Sequence, residues 1–210
     1  MYVPEHFAVP QLDSLHDLIR AHPFGTLITH GAAGLDANHL PFELETGAST
    51  TLHAHVARSN TLWQEVRDGD DVLVVFRAAD AYISPNWYPS KHELHKQVPT
   101  WNYMVAHAHG RITVRDDERY VRGVVARLTR THEATQPKPW KMTDSTPEYI
   151  DTLLKAIVGI QVEVTRLVGK YKLSQNKDRR DIEGAAHGAM AQGSERIGEA
   201  MLACASEKSG

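Results

Sequence analysis

The sequence predicts a mainly β, α+β domain: a small antiparallel barrel carrying peripheral helices. Three observations carry this. Short segments with a period of two recur along the chain, turn residues separate them, and helical periodicity is confined to a few stretches. The regular β–α alternation of a dinucleotide fold is missing, as is its G-x-G-x-x-G turn.

Asp13 can cap a short helix carrying Leu15, Leu18 and Ile19. Phe24 to Thr29 reads as a strand, Gly31 to Gly34 as its turn, and Leu35 to Leu44 as the returning strand. Pro41 marks an edge or a bulge in that return. From Thr51 to Val56, Leu52, Ala54 and Val56 face one way, Thr51, His53 and His55 the other. Ser59 or Asn60 can cap a helix with Leu62, Trp63 and Val66, and the apolar run Val72 to Phe76 predicts a strand buried on both faces.

Ser84 to Thr100 contains three prolines and is expected to be irregular. Trp101 to Val114 is the longest alternation. Met104, Ala106, Ala108, Ile112 and Val114 share one face, and Tyr103, Val105, His107, His109 and Arg111 the other. Helices follow over 118–134 and from Thr146-Pro147 to Gly159, then a strand over 160–167. Beyond Ser174 the character turns polar, and Ser194 can cap a last helix with Ile197, Ala200, Met201 and Cys204 on one face. The expected division is a barrel domain over 1–175 and a helical appendage over 176–210.

Composition narrows the function classes. With 41% hydrophobic and 23% charged residues, the 210-residue chain is ordinary for a globular protein. Its single cysteine, Cys204, allows no intrachain disulfide. No secretory signal and no run long enough for a membrane span is present, so a cytoplasmic location without membrane attachment is expected. A formal net charge of −3 gives no global attraction to nucleic acid.

Four segments concentrate chemistry: ANHLPF (37–42), HVARSN (55–60), YISPNWYPSK (82–91) with VPTWNY (98–103), and GKYKLSQNK (169–177). Their order and spacing resemble the PaiB family of FMN-binding negative transcriptional regulators, within the FMN-binding split-barrel group. The resemblance runs from Met1 to about Asp181. It implies an antiparallel split β-barrel, a homodimer, and FMN in the groove between subunits. Carried onto matching positions, it implies cofactor contacts from Asn38, His39, Leu40, His55, Arg58, Ser59, Asn60, Tyr82, Ser84, Lys91, Thr100, Trp101, Lys172 and Gln175.

The chemistry of FMN suits these residues. Its dianionic phosphate wants guanidinium, ammonium and hydroxyl donors, and its flat ring wants stacking surface and backbone polar groups. Arg58, Ser59 and Asn60 offer phosphate donors at a helix start. The competing reading is that Asn60 caps the helix and Arg58 is solvated. Asn38, His39 and the backbone at Leu40 and Pro41 can meet the ring, or form an ordinary edge strand. Tyr82, Trp87, Tyr88, Trp101 and Tyr103 offer ring faces for flavin or for a dimer interface. Lys91 can serve phosphate or the electron-rich end of a reduced flavin, while Lys170 and Lys172 can lie near the site or on a solvated strand end.

Two H-x-H pairs, His53/His55 and His107/His109, raise a metal-binding barrel as an alternative. No third ligand is placed by the sequence, and the expectation is no metal site, with hydrogen-bonded histidines on a sheet face. A second alternative is a flavin-dependent oxidoreductase of flavin reductase or pyridoxamine phosphate oxidase type; no catalytic residue can be named. DNA or a regulatory partner has one local candidate, the basic stretch Lys170 to Arg180.

Overall fold

A computed structural model describes residues 1–208. Among them are eight strands and seven α-helices: β1 (Ala8–Val9), α1 (Leu12–Ala21), β2 (Phe24–Gly31), β3 (Gly34–Pro41), β4 (Glu43–Thr46), β5 (Thr50–Ala57), α2 (Leu62–Glu65), β6 (Asp71–Ile83), α3 (Pro89–Leu94), β7 (Thr100–Arg115), α4 (Glu118–Glu133), α5 (Pro147–Lys155), β8 (Ile157–Lys172), α6 (Arg179–Ala191) and α7 (Glu195–Glu207). The strands form one sheet with the hydrogen-bonded order β3-β2-β6-β7-β8-β5-β4, and β1 pairs with β8. The order is open, ending at β3 and β4. The β2–β3 hairpin pairs Phe24 with Pro41 through Gly31 with Gly34, and β5 runs antiparallel to β8 from Thr50 opposite Val164 to Ala57 opposite Ile157.

The contacts divide the chain into two compact units. One comprises Met1–Leu18, Arg77–Ala106 and the chain from Val168 onwards. The other comprises Ile19–Phe76 and His107–Leu167.

In the second unit, period-two alternation becomes core. Leu52, Ala54 and Val56 on β5 are buried together with Val158, Ile160 and Val162 on β8. Close approach is built in at Gly110, where a Cβ would drive into the Glu163 carbonyl oxygen and the Val162 side chain. On α4, capped by the Asp117 carboxylate accepting from Tyr120 N, Val121 packs with Ile150 and Leu154 of α5.

The apolar run 72–76 is buried on one face, not both. Val72, Val74 and Phe76 are inside, whereas Leu73 and Val75 keep partial exposure. A run of β-branched and aliphatic residues suits either situation, so periodicity could not separate them. Gly159 was expected to end α5. The helix instead stops at Lys155, and Gly159 lies within β8, where the Tyr120 ring occupies the space a Cβ would need.

In the first unit, Ala81, Ile83, Tyr88 and Leu173 share a core with Ile182, Ala185, Ala189, Ile197 and Met201. The segment 176–210, expected as a helical appendage, thus holds α6 and α7, and α6 was unforeseen. Its glycines disguise it: a Cβ at Gly188 would overlap the Trp87 ring, and one at Gly184 would lie 2.5 Å from the Trp87 carbonyl oxygen. Glycine lowers helix propensity but here permits the helix to pack directly on Trp87. The irregular 84–100 stretch also contains α3, started by Pro89.

Candidate functional site

The sequence-predicted residues fall into two clusters, one in each unit. In the first unit, β7 begins where β8 ends, and Lys172 is the meeting point. Its ammonium donates to the Thr100 hydroxyl and, at 2.8 Å, to the Trp101 carbonyl oxygen. Burial and the nearby Lys170 charge both push the Lys172 pKa down. Its hydrogen-bond partners among the described residues are neutral, so none of them balances its charge.

Beside it stand two exposed rings. Tyr82 and Trp101 pack edge to face, with centroids 6.0 Å apart and planes at 73°. They remain 46% and 55% exposed, which leaves ring surface available to a ligand or partner. Leu94 and Val98 are exposed in the same unit.

Three further predicted residues have local duties in this unit. The Ser84 hydroxyl accepts from Asn86 N at 3.2 Å and caps the 3-10 turn Pro85–Trp87. Lys91 donates to Asn86 Oδ1 at 2.5 Å. The Gln175 side chain accepts from Leu173 N at 2.7 Å and donates to the Tyr171 carbonyl at 2.6 Å. It thereby braces the turn at Ser174, whose φ of 67° is uncommon for a residue with a Cβ.

Sequence reasoning missed the polar centre behind this turn. Asn102 is fully buried, and its amide donates to Ser174 Oγ at 3.0 Å and to Met201 Sδ at 3.3 Å. Ser174 Oγ also bonds the Tyr88 hydroxyl at 3.1 Å. Asn102 Oδ1 is buried without a partner. The available signal was Asn102 itself, an amide on the strand face that carries Met104 and Ala106.

In the second unit, Asn60 Nδ2 donates to Asn38 Oδ1 at 2.7 Å, and Asn60 Oδ1 accepts from Leu62 N at 2.9 Å. Asn60 therefore joins β3 to the start of α2. Asn38 also donates to Asp36. His39 Nδ1 lies 3.1 Å from Thr26 Oγ1, and Phe24 stacks on its ring at 6.4 Å. Leu40 is buried, and Ser59 is exposed.

Arg58 is the most committed residue of the set. Its guanidinium donates to both carboxylate oxygens of Asp116 (2.9 and 2.5 Å), to the Lys155 carbonyl (2.7 Å) and to the Ile157 carbonyl (3.3 Å). The paired Asp116 raises the Arg58 pKa, and Arg58 holds the Asp116 carboxyl below the usual carboxylate range. An anion arriving at this fork meets a carboxylate already in place.

The histidines divide likewise. His53 is buried between Tyr120 and Glu45: Nδ1 lies 2.8 Å from the Tyr120 hydroxyl and Nε2 3.0 Å from Glu45 Oε2. His55 Nδ1 and His109 Nε2 are buried without partners. Burial lowers the pKa of His53, His55, His107 and His109. Among the described residues, no group of three or more His, Cys, Asp or Glu is placed to hold a metal ion.

Every cation of the basic stretch is engaged. Lys170 lies among the rings of Tyr2, Phe7 and Tyr103 at 5.5–6.0 Å and donates to the Tyr2 carbonyl. Lys172 is bonded as described. Lys177 donates to Gln97, Arg179 to Glu183 and Arg180 to Glu93.

An open antiparallel sheet with peripheral helices places the chain in the split-barrel fold class. Solved structures agree on the fold. The FAD and heme binding protein from Mycobacterium smegmatis has a TM-score of 0.58 at 16% identity, covering 79% of this chain and 73% of its own. The flavocytochrome Anf3 from Azotobacter vinelandii has a TM-score of 0.57 at 10% identity, covering 81% and 72%.

Residues 1–166 match the model of the family described as "Putative FMN-binding domain", and the chain belongs to that family. This is the PaiB-type family that the four segments resemble, and FMN is its cofactor. The "Protease synthase and sporulation protein PAI 2" of Bacillus subtilis is 29% identical over 182 residues, covering 86% of this chain and 85% of its own. The family match ends before Lys172 and Gln175. The first-unit donor set nevertheless fits FMN chemically: an ammonium and a hydroxyl suit the phosphate, and exposed aromatic faces suit the ring.

Proposed function

We propose that this chain is an FMN-binding regulator in which Lys172 and Thr100 hold the flavin phosphate and the Tyr82–Trp101 pair meets the ring. The Lys172 ammonium carries the reading: it is partly desolvated, has only neutral acceptors, and lies near a second cation. A phosphate would relieve that imbalance through a charge-assisted hydrogen bond. Bound FMN supplies hydride- and electron-transfer chemistry, while the protein supplies orientation and electrostatics.

The flavin groove is completed by a second copy of the chain. Tyr82, Leu94, Val98 and Trp101 support this, as exposed apolar side chains within the 82–101 stretch of one unit. Sedimentation of the FMN-loaded protein at micromolar concentration is expected to give twice 23.4 kDa. A flavin-loaded monomer would overturn the shared groove. Trp101→Ala is expected to weaken FMN and riboflavin alike, because both carry the ring.

Regulation acts through a partner in the cytoplasm, not through the 170–180 stretch on DNA, where Lys172 serves the flavin phosphate and Lys170, Lys177, Arg179 and Arg180 are engaged within the chain. No described helix is long and apolar enough to cross a membrane. A gel-shift titration with FMN-loaded protein tests the DNA question. Binding that falls steeply with salt, and is lost in Lys177→Ala/Arg180→Ala, would contradict the partner reading.

A further inference from the structure

Helix α4 has a second face that the flavin reading does not use. Val121, Val124 and Leu128 point into the core. Ala126, Arg130 and Ala134 recur at helical spacing on another stripe. That stripe borders an open cleft of about 450 Å³, whose other wall is the segment 139–143. The volume lies within the usual range for small-molecule sites.

The segment over the cavity is pinned at both ends. Trp140 N donates to Glu133 Oε2 at 2.8 Å, so the strap is tied to the last turn of α4. Further on, Met142 packs on the Val121–Ile150–Leu154 cluster, and Lys141 N donates to Asp144 Oδ2 at 3.0 Å. Two small side chains, Ala126 and Ala134, keep the helix wall low beneath the strap. The walls are almost entirely carbon, with Trp140 and Met142 on one side.

Charge at the rim decides the occupant. Arg130 and Lys141 both line the cavity, and neither side chain is ion-paired among the described residues. Glu133, the one carboxylate among the described lining residues, already accepts from the Trp140 backbone, and the Asp144 carboxylate is held by Lys141 N. Among the lining residues cations therefore exceed anions, in a chain of formal net charge −3.

We propose that this cavity binds a small organic acid with a flat apolar body, an aryl carboxylate, its ring against Trp140 and its carboxylate between Arg130 and Lys141. The apolar wall takes the body by the hydrophobic effect, and the unpaired cations select an anion over an isosteric alcohol. The site is independent of the flavin residues and would give the protein a second small-molecule input.

The test uses 2-naphthoate and its neutral analogue 2-naphthylmethanol, titrated calorimetrically into the FMN-loaded protein. Saturable binding of the acid is expected, with the alcohol weaker by about tenfold. Arg130→Gln/Lys141→Gln is expected to remove that preference, and Ala126→Trp to abolish binding of both by filling the cavity. Flavin content and sedimentation should be unchanged in both variants. Absence of saturable acid binding would overturn the proposal, as would equal affinity for acid and alcohol, or binding that persists in both Ala126→Trp and Ala134→Trp. A change of sedimentation coefficient in Arg130→Gln/Lys141→Gln would make the cavity a protein–protein seam and overturn it too.

Discussion

Arg58 and Lys172 look alike in sequence: each is a cation beside hydroxyl and amide donors at the end of a strand. The fold gives them opposite roles. Arg58 receives a carboxylate and two backbone carbonyls, which satisfy most of its guanidinium donors. Lys172 receives only neutral acceptors and a second lysine nearby. The first is a clasp that ties the end of β5 to the start of β8. The second is a charge still in need of an anion. What separates them is the partner, and Asp116 lies 58 residues from Arg58 in the chain.

The largest effect should come from disturbing the frame around the clasp. Gly110→Ala would force a methyl group into the Glu163 carbonyl, and is expected to cost about 3 kcal/mol in denaturant unfolding. A smaller loss would mean that β7 and β8 can part locally, and that the clasp region is less rigid than its bonds suggest.

Next in size is the polar centre behind the Lys172 turn. Asn102→Ala removes a fully buried amide that donates to Ser174 and leaves a void, with an expected loss of about 2 kcal/mol. Because Oδ1 has no partner, the loss should fall short of what a fully bonded asparagine would show. A neutral result would show that Asn102 does not organise the turn.

The smallest effects are pH-dependent, and both have the same sign. The Asp116 pKa is depressed in the fold, so its contribution is complete above the unfolded value near pH 4 and lost as pH falls through the folded value. Asp116→Asn should flatten the fall of Tm below about pH 4. His55 is also depressed, by burial alone. Its contribution is complete above about pH 6.5 and lost as pH falls through its lowered value. His55→Leu should reduce the decline of Tm on that acid side. An unaltered profile in either variant would mean that the group does not feel its surroundings as described.

Much of the fold was legible because alternation is local. β5 and β7 could be read from period two, α4 and α5 from helical stripes, and the start of α5 from Thr146-Pro147. What could not be read depended on distant contacts. Helix α6 is one such case: Gly184 and Gly188 lower its helix propensity, and the reason for them is their close packing on Trp87. The candidate site was legible as a set of residue types, since rings, amides and cations near turns suit a flavin. Their commitments were not: Gln175 folds back on its own turn, Asn60 bonds Asn38 across to β3, and Asp116 claims Arg58. Local sequence fixes which groups are offered, and long-range pairing decides which stay free.

The contrast between the two cations is tested most directly by titrating FMN and riboflavin into wild type, Lys172→Met and Arg58→Met. The two ligands differ only in the phosphate, so their affinity ratio isolates the phosphate contact. Wild type should favour FMN. Lys172→Met should lower that ratio by about tenfold, with riboflavin affinity and Tm little changed. Arg58→Met should lower Tm and leave the ratio intact. A ratio that survives Lys172→Met and collapses in Arg58→Met would contradict the account, and would place the phosphate at Arg58.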